Sequence, residues 1–310
     1  MTGWWWLVFG AVVGLLLALD LLVFHRHAHR ESTRQAVIWS VVWVGLGLAF
    51  ALFVGVARGH DAALAYLTAY LIEKSLSVDN LFVFAALFSY FGVAPENHHR
   101  VLFWGILGAI ITRGIFIFAG VALISRFHWV VYVLGVVLVA TGARLGLSRD
   151  EQVHPERNLV VRWASRVLPM VKSYHGERFT VKTERGWRFT PLLLVLLAIE
   201  STDVMFAVDS VPAVLAVSRD AFVVYSSNIF AILGLRALYF VLAGALRSLR
   251  LLRPALAIIL VLVGVKMLLA ETVEVPTAAS LVVVAVLLAA ATVGSLVFPD
   301  PRKRNMEGGK

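Results

Sequence analysis

The sequence predicts an all-α polytopic membrane protein of about nine transmembrane helices, containing an inverted repeat of three plus three helices. Three observations lead there. Of 310 residues, 60% are hydrophobic and only 15% charged, whereas soluble globular chains carry about 25% charged residues. Apolar segments that fit a hydrocarbon core of about 30 Å, at about 20 residues per helix, recur nine times. Basic residues collect on alternate links between those segments.

In order, the segments are Trp4 to Phe24, Ala36 to Ala57, Ala62 to Phe91, Val101 to Ile124, Trp129 to Leu147, Phe189 to Val217, Ala221 to Leu246, Pro254 to Ala270 and Ala278 to Phe298. The first is flanked by Trp4, Trp5 and Trp6, lacks a basic lead and has no small-residue cleavage site after it. It reads as a retained helix with an interfacial aromatic anchor, not as a signal peptide. Nearly all loop lysines and arginines fall after the odd-numbered segments or in the tail; the other links hold Arg58, Arg126 and Arg219 only. This bias predicts a bacterial cytoplasmic (inner) membrane protein with its N-terminus outside and its C-terminus in the cytoplasm. The net charge of +9 is then topological, directed at anionic lipid and not at nucleic acid. Within the cytoplasmic loop 148–188, Trp163, Val167, Leu168 and Val171 share a helical face among Arg157, Arg162, Arg166 and Lys172. That pattern suits a helix lying on the inner headgroups.

Two stretches resemble one another. ITRGIFIFAGVALISR around Arg113 matches LGLRALYFVLAGALRS around Arg236, and VLVATGARL ending at Leu145 matches VLVGVKM ending at Met267. Asp79 precedes Arg113 by 34 residues and Asp203 precedes Arg236 by 33; Arg144 and Lys266 follow those arginines by 31 and 30. Units of three spans must enter the membrane from opposite faces, as in secondary transporters built around a midplane site. The expected organisation is peripheral helices in 1–61, repeat one in 62–147, the cytoplasmic loop 148–188, repeat two in 189–270, and a last helix and tail in 271–310.

Ionisable residues deep in hydrocarbon cost roughly 2.5 to 3.5 kcal/mol each on insertion scales, so each carries a functional hypothesis. The acids are Glu73, Asp79, Glu200, Asp203 and Asp209, with Asn80 beside Asp79; Asp20 is a secondary candidate near an inner helix end. Carboxylates and amide oxygens suit hard divalent cations. The bases Lys74, Arg113, Arg236 and Lys266 are the expected charge compensators, and buried salt bridges that fix helix register are the alternative use of the acids. Asp209 and Glu200 point to opposite sides of one straight helix, so either the helix breaks, which Pro212 favours, or Glu73 and Glu200 have another duty in neutralising Lys74, Arg113 or Arg236. Met205 adds a soft thioether that would favour manganese, and packing is its alternative role. His25, His27 and His29 read as solvated interface residues. Gly45, Gly47, Gly105, Gly108 and Gly142 are expected to permit close helix contact.

EKSLSVDN from Glu73 to Asn80 and IESTDVMFAVDSVPA from Ile199 to Ala213 resemble the hallmark segments of the TerC/Alx family of bacterial membrane proteins. HRVLFWGILGA, YHGERF and SNIFAILGLRALYF look like text of the same family, so the resemblance covers most of the chain from Asp20 to Met267. It implies manganese export, with calcium and magnesium as alternative cargo, and it places the family's intramembrane acids on Glu73, Asp79, Glu200, Asp203 and Asp209. Gln35 and Val171 to Ser173 depart from the family pattern, away from the expected site. The rival reading is a membrane scaffold or accessory subunit linking metal supply or the tellurite and stress response to secretion-machinery partners. Enzymatic activity is not expected: the chain has no HExxH, no GxSxG and no cysteine.

Overall fold

The computed structural model describes residues 3–24, 33–147, 158–184, 186–243, 251–270, 272–273 and 275–297. Helices α1 (Gly3–Phe24), α2 (Thr33–Arg58), α3 (His60–Phe91), α4 (Pro95–Arg126) and α5 (Val130–Leu147) precede a short α6 (Leu159–Val167) and a hairpin of β1 (Thr180–Thr183) and β2 (Gly186–Phe189). Then follow α7 (Pro191–Leu215), α8 (Ala221–Leu233), α9 (Leu235–Ala243), α10 (Leu252–Leu268) and α11 (Thr277–Val297). Each of the nine apolar segments is helical over most of its described residues. Among the described residues, six stretches are long and apolar enough to cross a membrane: Arg34–Arg58, Pro95–Arg126, Val130–Leu147, Pro191–Leu215, Ala221–Val241 and Thr277–Ser295. The chain is a helical polytopic membrane protein. Among the remaining apolar segments, α3 carries Glu73, Lys74 and Asp79 in mid-helix, and α10 is 17 residues long.

Local sequence sets the helix ends. Gly92 closes α3 in the left-handed region at φ 61, which a residue without Cβ adopts freely, and the Val93 N–H returns to the Phe88 carbonyl at 2.9 Å. Pro95 and Pro191 open α4 and α7, where a missing N–H costs nothing. Asp220 caps α8 by accepting from the Phe222 and Val223 amides, and Arg58 at the end of α2 pairs with it at 3.0 Å.

Two expectations about backbone are corrected. Pro212 does not break its helix: α7 continues to Leu215, and the Ala216 N–H bonds the Pro212 carbonyl at 3.0 Å. Pro212 lies within the last turn, so only the Val208 carbonyl loses its partner, close to where helical carbonyls go unpaired in any case. The interruption falls instead at Gly234, which divides the seventh apolar segment into α8 and α9. There a Cβ would lie 2.8 Å from the Trp43 Cβ and 3.0 Å from Lys74 Nζ, so only glycine lets α2 and α3 approach.

The loop also differs from its expectation. In α6, Val161 and Ala164 are buried, while Leu159, Trp163 and Val167, spaced by four, are exposed. Leu168 and Val171 lie beyond the helix, and the chain then forms the hairpin, with Lys182 opposite Trp187 and Val181 opposite Arg188.

The core divides in two. One cluster includes Phe9, Phe50, Tyr66, Ile106, Ile199 and Phe230, with Phe50 stacked on Phe230 at 4.5 Å between ring centroids. The other includes Ile72, Ile117, Leu138, Val211 and Leu260. Contacts between α4 and α7 advance in step, Gly105 against Ile199, Arg113 against Asp203 and Gly120 against Leu215, so the two helices run side by side in one direction. Helices α5 and α10 meet backbone to backbone. A Cβ at Gly142 would lie 2.8 Å from the Ala257 carbonyl oxygen, and one at Gly264 would lie 2.8 Å from that of Gly135. Small residues at such positions let helices pack by van der Waals contact where lipid offers no hydrophobic drive. Gly47, Gly105 and Gly108 likewise face Tyr70, Ile199 and Glu200, whereas Gly45 faces open space.

Candidate functional site

Four helices converge on one guanidinium. Helix α3 presents Glu73 and Ser77, one turn apart on the same face; α4 presents Arg113, α7 presents Asp203 and Ser210, and α8 presents Asn228. Glu73, Arg113 and Asn228 have no exposed surface, and Asp203 is 3% exposed. Arg113 Nη1 is ion-paired with Glu73 Oε1, donates to Asn228 Oδ1 at 3.0 Å and reaches Ser210 Oγ at 3.5 Å; Nη2 donates to Asp203 Oδ1 at 3.1 Å. Asn228 Nδ2 donates to Glu73 Oε2 at 3.2 Å and Ser77 Oγ to Glu73 Oε1 at 3.3 Å. The planar fork of arginine thus bridges carboxylates from two helices, a geometry lysine cannot reproduce.

Charge and satisfaction are both incomplete at this centre. Two carboxylates share one guanidinium, so the ionised trio carries one net negative charge where desolvation is severe. Asp203 Oδ2 and Arg113 Nε are buried without a hydrogen-bond partner. Buried polar groups in native structures are nearly always paired, so this carboxylate oxygen and guanidinium nitrogen are exceptions.

The other expected residues are distributed around this centre. Asn80 is buried on α3. Glu200, half-buried on α7, sits over Gly108 of α4, where any Cβ would collide with its carboxylate. Asp209 faces away towards α5 and accepts from Thr141 Oγ1 at 3.1 Å. Met205 is 63% exposed on the outer face of α7, so its thioether does not join the centre. Among the described residues, no three His, Cys, Asp or Glu side chains gather as a ready metal cage. The side chains of Asp20 and Asp79, and residues His25, His27 and His29, lie outside the described residues.

Two of the four expected compensators act elsewhere. Lys74 Nζ donates to the Ala231 carbonyl at 3.0 Å, in the last turn of α8, where the helix end favours a cation. Lys266 Nζ donates to Ser280 Oγ of α11 at 2.8 Å. Both satisfy neutral oxygens because α8 and α11, not the acids, are their neighbours. Arg236 is buried at 3% exposure on α9, two residues after Gly234. Sequence reasoning passed over Asn228, Ser210, Ser77 and Thr141. The run Ser226-Ser227-Asn228 inside an apolar segment was the available signal, since uncharged polar side chains there need partners as charged ones do.

Comparison with known proteins fits this arrangement of buried charge. The model of the integral membrane protein TerC family matches residues 58–303, which takes in every member of the four-helix centre. The chain belongs to the TerC family. It is 47% identical to an uncharacterized membrane protein of Myxococcus xanthus, over 94% of this chain and 92% of the relative. It is 46% identical to Alx of Escherichia coli strain K12, named as a proposed membrane-bound redox modulator, over 90% of each chain. Alx of Photorhabdus laumondii is 44% identical over 92% of each chain. No solved structure matches the chain. Both TerC hallmark segments map onto the centre: the first supplies Glu73 and Ser77, and the second supplies Asp203 and Ser210.

Proposed function

We propose that this TerC-family protein is a secondary transporter that exports a divalent cation, manganese first, across the bacterial cytoplasmic membrane through the centre of Glu73, Asp203 and Arg113. The observation that carries the reading is a buried pair of carboxylates, one from each proposed repeat, held by a single guanidinium with one carboxylate oxygen unused. Oxygen donors of this kind suit Mn²⁺, and Mg²⁺ and Ca²⁺ are the nearest competitors.

Several contacts support nine crossings with an inverted repeat. Helix α4 follows α3 through the tight turn at Gly92 and therefore runs back against it. Since α7 runs with α4, it opposes α3, as inversion requires. Equating Arg144 with Lys266 makes Gly135 the counterpart of Ala257, and Gly142 the counterpart of Gly264. The contact of Gly135 with Gly264 then exchanges with that of Ala257 with Gly142, and both are made. With the offset widening by one residue at each step upstream, Arg236 and Asp79 are the counterparts of Arg113 and Asp203.

Chemically, the cation and Arg113 compete for the same oxygens. Without cargo the guanidinium offsets one of the two acid charges and the trio stays at a net charge of −1. A dication at the acids releases Arg113 and takes the net charge to +1, so the magnitude left uncompensated is the same in both conditions. Relatives named for redox modulation fit a metal carrier: with no cysteine in its 310 residues, this chain has no thiol chemistry of its own, so a redox effect would come through the ion moved.

Manganese flux into proteoliposomes, with and without a pH gradient, tests the proposal. Wild-type protein is expected to move manganese, and Asp203→Asn and Asp79→Asn, normalised to inserted protein, to lose most of that flux. Wild-type flux in both variants would return the acids to a structural role and favour the scaffold reading.

A further inference from the structure

A second charged site lies at the hairpin, away from the buried centre. A cavity of about 360 Å³ is lined by Arg100, Arg178, Phe179, Lys182 and Trp187 among others. Three of these residues are cationic, and the nearby acid, Glu177, meets Arg100 only at 3.5 Å. The Arg100 guanidinium lies over the Phe179 ring at 5.4 Å, and its Nε is buried without a hydrogen-bond partner. The cation is therefore held in place by an aromatic face while a donor remains unspent.

The hairpin is fastened to the end of the bundle. Tyr174 Oη donates to the Phe91 carbonyl at 2.7 Å at the end of α3, and burial raises its phenol pKa, which keeps it a donor. The Thr190 N–H bonds the Phe179 carbonyl at 2.9 Å, and Phe189 and Val171 bond across the connection into α7. Helix α4 has 32 residues, about 48 Å at 1.5 Å per residue, against a hydrocarbon core of about 30 Å. Its first turns, with Arg100, therefore stand at headgroup level. Trp187, 68% exposed beside the cavity, has the amphipathic ring that belongs at that depth. Trp163 of α6 is exposed near Arg162 and Arg166 in the same connecting segment.

We infer that the Arg100, Arg178 and Lys182 groove binds the phosphate headgroup of an anionic phospholipid, with Trp187 seated at the glycerol level beside it. The three bases offer the phosphate two guanidinium forks and one point charge, and the weak Glu177 contact is the one a phosphate oxygen would replace. This lipid site is independent of the transport reading, because it shares no residue with the carboxylate centre.

The test is native mass spectrometry of the full chain in mild detergent with phosphatidylglycerol and phosphatidylcholine in competition. Wild-type protein is expected to retain phosphatidylglycerol preferentially. Arg178→Gln with Lys182→Gln, both at exposed positions, should lower that retention by on the order of tenfold, since each base near a surface of anionic lipid adds about 1 kcal/mol. Trp187→Ala should weaken retention of both lipids. Equal retention of phosphatidylglycerol by the double variant would overturn the inference. So would displacement of the lipid by millimolar inorganic phosphate alone, which would identify a free anion as the ligand. Loss of binding to an acidic peptide with unchanged lipid retention would overturn it in favour of a protein partner.

Discussion

Helices α5 and α10 and the four helices around Arg113 are joined by opposite means. Between α5 and α10, Gly135, Gly142 and Gly264 remove side chains so that backbones touch, and dispersion acts across the seam. Around Arg113 the helices are spaced by side chains, and what joins them is charge that hydrocarbon makes expensive to separate. The first interface tolerates no added atom and no rearrangement. The second leaves Asp203 Oδ2 and Arg113 Nε without a hydrogen-bond partner, so within one bundle helices are joined by backbone contact in one place and by ion pairs in another.

Substitutions can break the contrast. The largest effect is expected for Arg113→Ala, which leaves Glu73 and Asp203 buried without a cation and should destabilise the fold by about 3–5 kcal/mol, read as a large fall in the melting temperature of detergent-solubilised protein. A melting temperature equal to wild type would mean that the centre contributes nothing to holding α3, α4 and α7 together. Next comes Gly264→Ala. Its new methyl must push against the Gly135 carbonyl and the Leu138 side chain, an overpacking that costs about 1–3 kcal/mol and should leave ion selectivity intact where flux survives. The smallest effect belongs to Gly45→Ala, where nothing lies within 4 Å of the added atom. There the gain in helix propensity, up to about 1 kcal/mol, should raise the melting temperature slightly, and a loss would show that α2 uses that position for a contact.

The sequence made the apolar segments and the intramembrane charges plain because both are local in the chain. Glu73, Arg113 and Asp203 were each readable as buried charges that need an opposite charge, but their grouping comes from the structure. What could not be read was the choice of partner. Lys74 sits next to Glu73 in the chain, yet successive helical residues diverge by about 100°, which turns its ammonium towards the end of α8. Pro212 signalled a break through its chemistry, but in the last turn of α7 that chemistry has little to disturb. Gly234 gave no comparable signal, because the reason for its break is Trp43 and Lys74, distant in sequence. The hairpin was partly legible: Thr180 to Phe189 alternates around Gly186, which adopts φ 101, but the helical pattern of Arg157 to Lys172 drew the reading of the whole loop.

The division of the core gives the ion pair a mechanical meaning. Along α4, Ile106 and Ala109 belong to one apolar cluster and Ile117 and Ile124 to the other; along α7, Ala198 and Ile199 belong to the first and Ala207 and Val211 to the second. Both helices change allegiance at Arg113 and Asp203, the residues that tie them together. A bond so placed joins the two helices at the level where both pass from one apolar cluster to the other.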